Sequence, residues 1–173
     1  MSAPEGKASG GNSRGGKPRP DAAARRSLNG AARFYAVQAL FQMETSGQTI
    51  DAVTAEFEAH RIGAETPEEN WVEANRTLFR KLVDTAVDRQ AQIDQLTDRA
   101  LVAKWPIARI DPTLRALFRA AGAEMLNAST PARVVITEYV DIAAAFFPEG
   151  RETSFVNAVL DHMARALRGD GAR

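Results

Sequence analysis

From about Asp21 onward, apolar side chains recur every three or four residues, and nowhere do they alternate with polar ones as a half-buried strand requires. Phe34, Val37, Leu40 and Phe41 set the stripe of a first helix that Asp21 can cap, and Gly30 weakens the join between its basic start and its apolar end. Thr49 is the expected cap of a second helix carrying Ile50, Val53 and Phe57. After the acidic loop "GAETPEEN", a longer pattern runs through Trp71, Leu78, Phe79, Leu82, Val83 and Ala86. A break near Asp88 separates it from a helix bearing Ile93, Leu96 and Leu101. The sharpest start signal is "IDPTLRALF", with Asp111 in the cap position and Pro112 in the first helical one, where its missing N–H costs nothing. "STPARVV" repeats the device with Thr130 and Pro131. A sixth helix buries Val135, Tyr139, Ile142 and Phe146 until "FFPEG" ends it, and a seventh begins around Thr153. About seven helices with short connections predict an all-α bundle.

The first twenty residues have another character. Five glycines and three prolines leave Met1, Ala3 and Ala8 as their only other apolar residues, too little to offset the entropy of ordering. The expectation is a disordered basic tail over residues 1–20, followed by one helical domain over 21–173. A length of 173 residues suits one domain, or two small subdomains sharing a core, without cross-links. Cysteine is absent, which excludes disulfides, thiolate zinc sites and a cysteine nucleophile. No apolar run is long enough for a membrane span, and the first residues lack the apolar core of a signal peptide, so the cytoplasm is the expected compartment.

Charge changes the picture. The formal net charge is zero, yet up to Arg33 seven Lys and Arg face only Glu5 and Asp21, and the remainder carries the matching excess of acid. A basic arm on an acidic body suits a polyanion or an acidic partner, and it also suits a solubilising tail. Arg26, Asn29 and Arg33 are three, four and seven residues apart, the spacing of one polar ridge. Guanidinium groups match phosphate oxygens and stack on unpaired bases.

Catalytic chemistry is hard to find. His60 and His162 are the only histidines and fall on different predicted helices. No phosphate-binding loop, dinucleotide fingerprint, zinc-protease helix or nucleophile elbow occurs. Glu138 and Asp141 share a helix face without a third ligand and read as solvated surface. No enzyme activity, cofactor or metal is expected. In the last helix Val156, Val159, Leu160, Met163 and Leu167 form the stripe, and Phe155 sits about 100° from its centre. Such an aromatic is either an interaction anchor beside the loop "EGRETS" or a cap packed under it.

These pieces together resemble the NusB family of bacterial transcription antitermination factors. The residues that carry the resemblance are "ARFYAVQALFQME", "LFRKLVD", Trp105, "DPTLRALFRAAGAEML", "PARVVITEYVDIAAAF" and "SFVNAVLD". The likeness covers nearly everything from Arg25 to Leu167, and the "FVNAVLD" fragment after the "ITE" helix is its most specific part. It implies two small helical bundles packed together, binding to the single-stranded boxA element of ribosomal RNA transcripts, and a heterodimer with NusE, a small-subunit ribosomal protein. It also implies a place in the antitermination complex of RNA polymerase.

Carried over by position, the resemblance puts RNA contacts at Arg33, Phe41 and Arg119, with Arg25 and Arg26 as displaced members of an arginine cluster. It puts the protein partner at Phe155, with Glu152 and Arg151 beside it. Asn29, Gly30 and Ala31 stand where the family often has further arginines, Phe41 stands for a frequent tyrosine, and Arg151 for an expected acid.

Two other readings compete. One is a helical protein-interaction bundle without an RNA role, in which an edge aromatic serves a homodimer equally well. The other is a relative of the helical N-terminal domain of ribosomal RNA cytosine methyltransferases, disfavoured because the chain as given leaves no room for a methyltransferase domain.

Overall fold

The computed structural model describes residues 21–101 and 106–169, so the tail of residues 1–20 and Trp105 lie outside the described residues. Regular structure within them consists of seven α-helices and one 3-10 turn (Ile107–Arg109). In chain order the helices are α1 (Ala22–Ser46), α2 (Ile50–His60), α3 (Arg76–Asp88), α4 (Gln90–Ala100), α5 (Pro112–Leu126), α6 (Ala132–Phe146) and α7 (Arg151–Arg168).

Local chemistry sets most boundaries. Asp21 accepts the Ala24 N–H at 2.7 Å, Thr49 accepts that of Ala52 at 3.2 Å, and Asp111 accepts that of Thr113 at 2.7 Å. Each cap satisfies one orphan donor of a helix start. At the other end of α1, Gly47 takes φ 71° and its N–H returns to the Met43 carbonyl at 3.0 Å, a left-handed stop that favours glycine. Gly30 does not interrupt α1.

Three expectations fail. α6 begins after Pro131, which occupies the cap position itself, and Thr130 makes no cap bond. α7 begins at Arg151, two residues earlier than expected, because Gly150 with φ 78° turns the chain directly into it. Trp71 is not helical, since α3 starts only after Asn75, whose side chain accepts the Leu78 N–H at 3.0 Å. Its apolar bulk packs instead against Tyr35, with ring centres 6.1 Å apart.

Two groups of helices share one core. α1, α2 and α3 pack on one another, α4 to α7 form a second group, and α5 is the element common to both, touching α1, α3, α4, α6 and α7. Phe57 and Phe79 stack at 5.8 Å in the first group, while Phe118, Leu160 and Met163 are fully buried in the second. Each such side chain contributes roughly 1.5–3 kcal/mol by leaving water. Alanines 116, 120, 121 and 123 and Gly122 line α5, and small residues let neighbouring helices approach. A Cβ on Gly122 would lie 2.5 Å from Ile93 Cγ2, so glycine is required where α4 crosses α5. At the end of α7, Arg168 donates to the carbonyls of Met125 and Thr130 at 2.9 and 2.7 Å, satisfying one acceptor at the end of α5 and one in the connection before α6.

Candidate nucleic-acid and partner interface

α1 is the spine of the candidate RNA surface. Arg25 and Arg26 are exposed on its first turns, and no carboxylate among the described residues pairs with them. Arg26, Gly30, Phe34 and Phe41 are four, four and seven residues apart and therefore share one side of the helix. Phe34 stacks on Phe146 of α6 with ring centres 5.1 Å apart and planes 2° from parallel. Phe41 is 37% exposed, one of the large apolar side chains most open to solvent. From Arg26 to Phe41 the track spans about 22 Å.

Arg33 corrects the expected polar ridge. It is buried, and its Nε donates to both Glu124 oxygens at 2.9 and 3.1 Å while Nη2 donates to Oε1 at 2.7 Å. Nη1 lies 3.5 Å from Glu138 Oε2, and the Tyr139 hydroxyl donates to Glu124 at 3.0 Å. Burial by itself would lower the Arg33 pKa, but the hydrogen bond and charge of Glu124 outweigh it and hold the pKa above its usual value. Burial first, and Glu124 second, push the Tyr139 phenol well above its ordinary range. This side chain joins α1 to α5 and α6 and is not presented to solvent. Glu124, a lone carboxylate in the apolar run "RAAGAEML", was the sequence signal for a buried partner.

Arg119 is likewise engaged in ion pairs with two other helices. Its Nε and Nη2 grip Asp94 of α4 at 3.0 and 2.9 Å, and Nη1 reaches Glu44 of α1 at 2.9 Å. Arg115 chelates the same Glu44 and donates to the carbonyls of Ile107 and Ile110 at 2.9 and 3.3 Å. The hydrogen bond from Arg115 holds the Glu44 carboxyl below the usual carboxylate range. Three helices and the 3-10 turn are thus tied beside a cavity of about 530 Å³.

Sequence reasoning missed Arg61. Its guanidinium lies 4.4 Å from the Phe57 ring centre and 5.6 Å from that of Trp71, and it bonds Gln42 Oε1 at 3.0 Å. With Gln38, Thr113 and Phe146 it lines a cavity of about 340 Å³ beside Phe41. The buried Gln38 Oε1 in this wall has no hydrogen-bond donor among the described residues. Arg61 was hidden because, although Phe57 lies only four residues before it, Trp71 and Gln42 come from other segments.

The candidate partner surface lies at the start of α5 and α7. Phe155 is half-buried, edge-on to Phe118 at 6.1 Å, and lines a mostly apolar cavity of about 300 Å³ with Arg109, Ile110, Asp111 and Leu114. Arg151 is exposed and Glu152 half-buried in the first turn of α7, where a carboxylate complements the helix dipole.

Among the described residues no three His, Asp or Glu side chains converge to hold a metal ion, and no helix is long and apolar enough to cross a membrane. The fold and its surfaces define an all-helical binding protein of two fused bundles. The NusB family model matches residues 30–165, and the chain belongs to that family. It is 44% identical over 160 residues to the transcription antitermination protein NusB of Agrobacterium fabrum, covering 92% of this chain and 96% of that one. It is 49% identical over 146 residues to the NusB protein of Maricaulis maris, covering 83% and 89%. Among solved structures, T. maritima NusB aligns with a TM-score of 0.63 at 24% identity over 79% of this chain and 89% of that one. Antitermination factors NusB and NusE in complex with dsRNA align with a TM-score of 0.60 at 24% identity, over 79% and 96%.

Proposed function

We propose that the protein is a transcription antitermination factor that binds the single-stranded boxA element of ribosomal RNA transcripts together with NusE. It acts by holding its partners within the antitermination complex of RNA polymerase, in the cytoplasm, without making or breaking covalent bonds. The observation that carries the RNA half is the open track on α1, from the exposed cations Arg25 and Arg26 to the exposed ring of Phe41. Cations for phosphates followed by flat rings for unstacked bases are what single-stranded RNA needs. The cavity beside Phe41, with Arg61 and the unsatisfied Gln38 oxygen, supports the same reading. Phe155, over its apolar cavity and flanked by Arg151 and Glu152, supports a protein anchor for NusE. Family membership agrees with both halves, since relatives carry the antitermination name and one aligned structure holds NusE and RNA.

The test is a filter-binding titration of boxA RNA with and without NusE. Saturable binding that tightens with NusE is expected. Equal affinity for boxA and a scrambled strand, with NusE present, would overturn the reading.

A further inference from the structure

Between α1, the loop before α3 and α6 lies an open groove of about 490 Å³ that the track along α1 enters after Arg26. Its apolar walls are Phe34, Trp71, Val72 and Ile142, and Val72 is 65% exposed. Its polar lip is Glu138 and Asp141. Glu138 keeps 32% of its side chain exposed, and its Oε2 lies 3.5 Å from Arg33 Nη1. Asp141 is exposed and, among the described residues, has no cationic partner.

Gly30 forms part of the same wall. Glycine inside a helix weakens it, so its presence calls for a reason. Conformation does not supply one, because Gly30 is not among the glycines with positive φ. Packing does not either, since an added Cβ would meet Glu138 Oε2 at 3.8 Å, an ordinary contact. Gly122, by contrast, is fully explained by its neighbour Ile93. What Gly30 leaves is bare backbone facing a groove of ligand size.

We infer that this groove is a base subsite for guanine in single-stranded RNA, with the flat base against Trp71 and Phe34 and its Watson–Crick edge on Glu138 and Asp141. The inference rests on the RNA-binding reading above. Ionised carboxylates only accept hydrogen bonds. Guanine presents two neighbouring donors, N1–H and the N2 amino group, whereas adenine and cytosine pair one donor with an acceptor, and uracil sets one donor between two acceptors. The acidic lip repels phosphate, but the neighbouring phosphates would lie back along α1 toward Arg25 and Arg26. A lysine-bearing protein segment is the competing occupant, and continuity with the cationic track favours RNA.

The experiment is fluorescence anisotropy with the full-length protein and a short labelled oligouridine carrying one guanosine, or inosine in its place. Inosine lacks the N2 amino group, and its loss should weaken binding about tenfold. Asp141→Asn should shrink that preference to about twofold or less without moving Tm. Gly30→Ala should raise Tm by about 2–4 °C yet weaken the guanosine strand more than about threefold. Equal wild-type affinity for the two strands overturns the subsite while leaving the RNA reading intact. Failure to bind either strand or boxA RNA overturns both. Unchanged guanosine preference in both variants, with weakened binding of an oligolysine peptide, overturns it in favour of a protein segment.

Discussion

Arg33 and Glu124 meet through three hydrogen bonds between 2.7 and 3.1 Å, and both side chains are shut away from water. The arginine nearest the apolar end of the basic arm is therefore spent inside the protein, as the bolt between α1 and α5. Its removal should behave as the loss of a buried ion-pair partner. Arg33→Met should cost about 3–5 kcal/mol of folding stability, because Glu124 keeps only the Tyr139 hydroxyl. Arg33→Met with Glu124→Met should recover most of that loss, since well-packed apolar pairs replace buried ion pairs at little cost. Urea unfolding of the three proteins decides, and boxA affinity per folded molecule should stay unchanged.

Arg25 and Arg26 should act on RNA alone. For single strands each neutralised phosphate contributes about −0.7 to the log–log salt slope, so two engaged arginines contribute about −1.4. Replacing both by Ala should flatten the slope by that amount and leave Tm where it was. A salt titration in which the slope does not move would remove them from the interface.

Phe155 should divide its effects between fold and partner. The residue is only half-buried, edge-on to Phe118, so Phe155→Ala should cost less than the roughly 3–5 kcal/mol of a fully buried phenylalanine. Affinity for NusE should fall by about thirtyfold or more. Calorimetric titration at a temperature where the variant is still folded separates the two. Early melting with normal NusE affinity would make Phe155 a core residue only.

Glu44 predicts an acid-sensitive joint. Its carboxyl is held below the usual range in the folded protein, chiefly by the Arg115 hydrogen bond. A depressed carboxylate contributes stability above its unfolded pKa of about 4.3, and loses it as pH falls through the folded value. Glu44→Gln should therefore cost about 1–2 kcal/mol at neutral pH. The difference from wild type should begin to shrink as pH falls below about 4.3 and vanish only below the depressed folded value. Paired thermal melts across that range test the sign.

What the sequence revealed depended on range. Asp21, Thr49 and Asp111 were legible as caps because a cap bonds an amide two or three residues away. Phe155's offset from the stripe was legible from helix geometry alone, and the structure places it at the core's edge. Trp71 misled because its spacing continues the α3 pattern while its partners, Tyr35 and Arg61, belong to other segments. The ion pairs of Arg33 and Arg119 were not legible because their carboxylates come from other helices, 91 residues away for Arg33 and 25 and 75 for Arg119. A charge is visible in a sequence, but its neutralisation is not. The lone Glu124 in an apolar helix was the one local trace of that pairing.

The placement of Glu124 91 residues after Arg33 has a consequence for the protein's making. During synthesis α1 emerges first, and α2 and α3 can gather on it while α5 is still unmade. Until then the nascent chain carries an unpaired arginine on the apolar side of its longest helix. Contacts that close so long a loop form late and slow folding. α1 is thus made well before the helix that anchors it, so a truncated product that stops before α5 would carry Arg33 without its carboxylate partner.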